Sequence, residues 1–101
     1  MISKISLGTA QFGMDYGITN SDGKPSLDKA RGIIKKAKSL GIKNIDTASV
    51  YGSSETMLGD IGVKDFNLTT KIPSIPSKES DIRGYINSIV KESLSKLKIN
   101  N

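Results

Sequence analysis

Apolar residues recur along this chain in two alternating rhythms. Ser3-Lys4-Ile5-Ser6-Leu7 switches between polar and apolar at every step, which predicts a short strand ending before Gly8. A glycine-rich stretch from Gly8 to Gly23, with Gly13 and Gly17 inside it, predicts loop. Leu27, Ala30, Ile33, Ile34, Ala37 and Leu40 then repeat at spacings of three and four, the stripe of an amphipathic helix. Ser26 is its expected N-cap, Pro25 sits just outside, and Gly41 supplies the stop. Ile42 to Thr47 returns to strand, and Ser54 to Gly59 opens a short helix with Glu55 near the positive end of its dipole. Phe66 to Ile72 alternates again and stops at Pro73, and Pro76 keeps the next segment in loop. A second long helix is predicted from about Ser80 to Leu97, with Ile82, Ile86, Ile89, Val90, Leu94 and Leu97 on one side.

The resulting order is β-α-β-α-β-α, and strands alternating with helices imply a parallel sheet with right-handed crossovers. Either a doubly wound sheet or the opening of a (β/α)8 barrel accommodates this order. A complete barrel takes about 250 residues, so a barrel reading makes the chain roughly three of eight units. No low-complexity segment or linker divides it, so residues 1–101 are expected to form one unit.

Composition narrows the possibilities. With 101 residues, 36% of them apolar, the chain can bury only a modest core. It has no cysteine, which excludes disulfides and thiolate metal sites and suits a reducing compartment. It has no histidine either, and its carboxylates do not cluster, so no metal site is expected. The N-terminus lacks the apolar run of a signal peptide, and no stretch is apolar enough to span a bilayer; a cytoplasmic location is expected. The net charge of +5 raises the question of nucleic acid. Lys29, Arg31, Lys35, Lys36 and Lys38 fall mostly between the apolar positions of one helix, as on a solvated face, and no aromatics interleave to stack bases. Gly17 to Gly23-Lys24 superficially resembles a phosphate loop, but its spacing is one residue too long and Pro25 stands where a Ser or Thr would reach magnesium.

Candidate chemistry concentrates at the ends of the second and third strands. In either architecture, functional groups gather at the carboxyl ends of parallel strands. Asp46 closes one strand and Lys71 the next, and neighbouring strands lie about 4.8 Å apart, close enough for an ion pair. Parity places Asn44 and Asp46 on one face with Asn67, Thr69 and Lys71, whereas Ile45, Phe66 and Leu68 point the other way. Tyr51 follows on the loop above. A free tyrosine titrates at about pH 10 and is a weak acid at neutral pH. An ammonium beside the phenolic oxygen lowers that value, and a carboxylate behind the ammonium keeps it charged and oriented. A plainer reading makes Asp46 a loop cap, Tyr51 a packing residue and Lys71 an ordinary strand-end cation.

Three blocks of sequence bear on that choice. They are Leu7-Gly8-Thr9-Ala10-Gln11-Phe12-Gly13 with Asp15-Tyr16-Gly17-Ile18, the run from Gly41 through Asp46-Thr47-Ala48-x-x-Tyr51-Gly52-x-Ser54-Glu55-x-x-Leu58-Gly59, and Thr70-Lys71. In that order they resemble the N-terminal third of an aldo-keto reductase, and the opening block is similar to a bacterial branch often associated with surface-sugar biosynthesis. The resemblance implies a (β/α)8 barrel that reduces aldehydes or ketones with NADPH or NADH. It implies catalytic roles for Asp46, Tyr51 and Lys71, three members of a tetrad whose histidine would follow a fourth strand. It places Gly8, Thr9 and Ala10 along the nicotinamide site and brings Asp46 near the nicotinamide ribose.

On this reading residues 1–101 are a single N-terminal portion of an aldo-keto reductase barrel. Its parent would take a small carbonyl substrate, with Tyr51 as general acid, and would bind no nucleic acid or membrane. The 101 residues alone are expected to be nearly inactive. A second expectation is a catalytically inactive fragment that acts as an interaction or self-associating module through exposed sheet edges.

Overall fold

The computed structural model describes residues 4–14 and 24–100. The phosphate-loop look-alike before Lys24 and the Asp15-Tyr16-Gly17-Ile18 block lie outside the described residues. The element order is β1 (Ser6–Gly8), α1 (Ala10–Gly13), α2 (Leu27–Ser39), β2 (Asn44–Asp46), α3 (Ser54–Ile61), β3 (Asn67–Thr69) and α4 (Ile82–Leu97). The three strands form one parallel sheet in the order β1-β2-β3. The α/β reading therefore holds, with shorter strands than the alternation predicts. Backbone pairing nevertheless runs past the strand ends. Asn67 N–H donates to Lys43 O at 2.7 Å, Thr47 N–H to Thr69 O at 2.8 Å, and Ser49 N–H to Lys71 O at 3.0 Å.

The register sorts the two faces of the sheet. Leu7, Ile45 and Leu68 stand side by side across the strands, as do Gly8, Asp46 and Thr69 in the next row. The apolar row faces the helices: Ile45 is fully buried, and Leu7 and Leu68 pack against its cluster. The alternate rows carry Asn44, Asp46, Asn67 and Thr69, and the Asn67 amide donates to Asn44 Oδ1 at 3.2 Å. Parity read from the sequence thus matches the sheet. Phe12, Ala30, Ile34, Leu58, Val63, Phe66 and Leu97 complete the core behind it.

The helices start and stop where local chemistry allows. Ser26 Oγ accepts the Lys29 N–H at 3.2 Å and caps α2, and Gly41 follows its end at φ +85°, a conformation glycine adopts without penalty. Lys29, Arg31, Lys35, Lys36 and Lys38 are all exposed, as expected of a solvated face. At the head of α4, Asp81 Oδ1 accepts the Gly84 N–H at 3.0 Å, which sets the start at Ile82, two residues after the expected Ser80. The apolar stripe of α4 is only partly used, since Ile82 and Val90 are 52% and 43% exposed while Ser93 and Leu97 are buried.

Helix α4 packs on α3 at Gly59. A Cβ there would collide with the Lys96 carbonyl, so α3 and α4 touch backbone to backbone at this point. The Lys98–Asp60 ion pair at 2.9 Å closes the same contact from outside. A methyl group added at Gly32, in α2, would meet no heavy atom within 4 Å. Opposite outcomes are therefore expected for two helical glycine-to-alanine changes. Gly32→Ala should stabilise by about 0.5–1 kcal/mol through helix propensity, whereas Gly59→Ala should lower the urea midpoint by wedging the helices apart.

Candidate active site

Two strand ends and one loop supply the expected groups. Asp46 is the last residue of β2, Lys71 lies two residues past β3, and Tyr51 sits between β2 and α3. Lys71 Nζ donates to Asp46 Oδ2 at 2.8 Å and lies 5.1 Å from the centroid of the Tyr51 ring. That separation is within cation–π range. The ion pair is accessible, with side-chain exposures of 47% for Lys71 and 38% for Asp46. The Asp46 hydrogen bond holds the Lys71 ammonium above its ordinary value of 10.5; partial desolvation opposes this, and hydrogen bonding to Tyr51 adds to it. Three residues from separate parts of the backbone therefore meet at the carboxyl end of the sheet.

Gly8, Thr9 and Ala10 reach the same place from β1. With Gln11, Asp46 and Tyr51 they line a cavity of about 290 Å³. A Cβ on Gly8 would meet nothing within 4 Å, so the floor of the cavity is open above that residue. Thr9 contributes differently from its neighbours, because its side chain is fully buried and its hydroxyl donates to Asp46 O at 2.9 Å.

Thr9 belongs to a buried hydroxyl knot that sequence pattern alone does not disclose. Ser54 Oγ donates toward Thr9, 3.0 Å from both its carbonyl oxygen and Oγ1, and Thr47 Oγ1 lies 2.9 Å from Ser54 Oγ. All three side chains are fully buried. Thr9 also donates its backbone N–H to Asp46 O at 3.1 Å. The knot ties the end of β1 to the end of β2 and to the first residue of α3. Satisfying every hydroxyl matters here, since a buried polar group without a partner costs about 1–3 kcal/mol. The signal was present in the Thr47 and Ser54 positions of the motif, but spacing does not reveal that both side chains turn inward to Thr9.

A second unanticipated feature aims Tyr51. The segment after Gly8 contains a short helix, α1, where loop was expected; Phe12 anchors it in the core, and its amide donates to Thr9 O at 3.0 Å. The helix ends at Gly13, where any Cβ would overlap the Tyr51 carbonyl and lie 2.6 Å from the Ser54 nitrogen. Gly52, at φ +56°, returns the contact, since its Cβ would strike the Gly13 carbonyl. Two backbones thus interlock beside Tyr51, an approach only glycine permits.

The Lys71 titration has a defined sign. Its folded value is raised, so the pair's contribution to stability is complete below pH 10.5 and is lost as pH climbs through that folded value. Asp46→Asn should return the Lys71 midpoint toward 10.5, read by NMR of isotope-labelled lysine while circular dichroism stays unchanged.

Comparison with known proteins agrees with this geometry. The family model for the aldo/keto reductase family matches residues 4–101. Uncharacterized oxidoreductases of Mycobacterium bovis and Mycobacterium tuberculosis are 42% identical over 64 residues, which is 58% of this chain and 18% of theirs. Two solved structures from Pseudomonas aeruginosa, whose names assign them to the aldo-keto reductases, superpose over 95% of this chain. Their TM-scores are 0.78 and 0.76, at 30% and 27% identity. The chain covers 39% and 37% of those two structures. Its three parallel strands and their helices are thus part of a (β/α)8 barrel. The chain belongs to the aldo/keto reductase family.

Proposed function

We propose that the protein containing this chain reduces an aldehyde or ketone with a nicotinamide cofactor, and that Tyr51 is the proton donor. The observation that carries this reading is the Lys71 ammonium, 2.8 Å from the Asp46 carboxylate and 5.1 Å from the Tyr51 ring centroid. Carbonyl reduction leaves negative charge on the substrate oxygen, which must be met by a proton from a positioned acid. The Tyr51 hydroxyl gives up that proton, and the Lys71 ammonium stabilises the phenolate that remains. Asp46 keeps Lys71 charged and turned toward Tyr51. Electrostatic stabilisation of this kind is effective because the charges stand ready before the reaction begins.

The cavity supports a place for the cofactor. Gly8, Thr9 and Ala10 form one wall, and the open space over Gly8 suits the flat face of a nicotinamide ring. When bound, the reduced nicotinamide supplies the hydride. Asp46 borders the same cavity, so its carboxylate, which holds Lys71, would also help to hold the cofactor. Residues 1–101 are then one portion of the catalytic barrel, carrying the acid, its ammonium and the carboxylate behind it. The substrate is a small carbonyl compound, and NADPH or NADH is the reductant.

The test is turnover of a reactive aldehyde by the complete protein with NADPH or NADH. Tyr51→Phe and Lys71→Met should each lower kcat by about 10²–10⁴-fold, the range of a lost general acid, while fluorescence titration still reports cofactor binding. Full activity in Tyr51→Phe would end this reading.

A further inference from the structure

Asp46 by itself is a weak tether for Lys71. The pair is accessible, and a lysine side chain has enough rotamers to swing away from one carboxylate. The backbone beneath Lys71, however, is held from two sides. Its carbonyl accepts both the Ser49 N–H at 3.0 Å and the Ser49 hydroxyl at 2.9 Å. Immediately before it, the Thr70 hydroxyl donates to Glu55 Oε2 at 2.8 Å. Glu55 is 2% exposed, on the first turn of α3, next to the Ser54 that anchors the buried hydroxyl knot.

A carboxylate that deep is costly unless its oxygens are used. A favourable interaction with the helix dipole would explain a glutamate on this turn, but does not require a bond to the residue before Lys71. The cationic Lys96 of α4 lines the same small cavity and attracts the Glu55 charge across it, while its ion pair at 2.9 Å is with Glu92. The Thr70 hydroxyl supplies the hydrogen bond that joins the Glu55 carboxylate to the strand end bearing Lys71.

We propose that Glu55, acting through Thr70, and Ser49, acting through the Lys71 carbonyl, are positioning residues that fix the Lys71 ammonium against Asp46 and Tyr51. The inference rests on the reductase reading above and deepens it. Neither residue touches the reacting atoms. Together they convert a surface cation into a fixed charge, because the strand end can no longer shift relative to β2 and α3.

The test pairs kinetics of the complete protein with the Lys71 titration. Thr70→Val, which keeps the shape and the Glu55 carboxylate, should lower kcat about tenfold, as a small misplacement of a catalytic group does, with cofactor KM within about twofold. The Lys71 midpoint should fall toward 10.5 in the same variant. Thr70→Ser and Glu55→Gln, which retain donor and acceptor, should recover both. A role confined to stability would lower the unfolding midpoint without moving the Lys71 titration. Wild-type kcat and wild-type Lys71 titration in folded Thr70→Val would overturn the proposal. Should that variant not fold, Ser49→Ala keeps the backbone bond and decides instead. A smaller shift in the same direction supports the proposal, and none overturns it. Activity surviving Tyr51→Phe would sink the reductase reading alone, since the Lys71 titration reports positioning without any turnover.

Discussion

A buried cluster of three hydroxyls holds the working end of this sheet together. Thr9, Thr47 and Ser54 come from the residue after β1, the residue after β2 and the start of α3, and each is fully shielded from water. Their mutual bonds of 2.9–3.0 Å leave no side-chain oxygen among them without a partner. An apolar cluster of the same size would tolerate small slides between the elements. Hydrogen bonds are directional, so this one specifies a single arrangement of two strand ends and a helix start. Everything near the cavity inherits that arrangement. Asp46 lies between Ile45 in the core and Thr47 in the knot, Tyr51 is on the short connection between knot members, and Glu55 is the residue after Ser54.

The site is built outward from that anchor in successive layers. The glycine interlock of Gly13 with Gly52 sets the path of the loop through Tyr51. Parallel pairing continues beyond β3, through the Ser49 bond to the Lys71 carbonyl, and carries the strand ladder to the rim. The ion pair with Asp46 comes last and is the most exposed part. Burial therefore decreases steadily from the knot to the charged groups, which keeps them reachable from the cavity while their supports stay dry.

Much of this was legible in the letters of the chain. The two periods, near two and near 3.6, distinguish strand from helix because only those repeats put Ile45, Leu58, Ile34 and Leu97 on a common core. Parity correctly separated Asp46 from Ile45, since in a strand adjacent side chains must oppose each other. The meeting of Asp46, Tyr51 and Lys71 was foreseeable from the motif and from the rule that strand ends carry function. The remaining features depend on tertiary contacts. The α1 helix has too few residues to show a repeat, and its place depends on Phe12 settling in the core and on Gly13 meeting Gly52. The close α3–α4 contact depends on Gly59, which no pattern within residues 82–97 encodes. Thr47 and Ser54 carry short polar side chains, and their meeting inside the fold depends on Thr9, far away in sequence.

Asp46 divides its atoms between two tasks. Its carbonyl oxygen receives both bonds from Thr9 and so belongs to the architecture, whereas its carboxylate reaches Lys71 at the rim. Replacing the side chain touches the second task and spares the first. One substitution at this position would therefore remove the ion pair with Lys71 and leave the bonds between the ends of β1 and β2 in place.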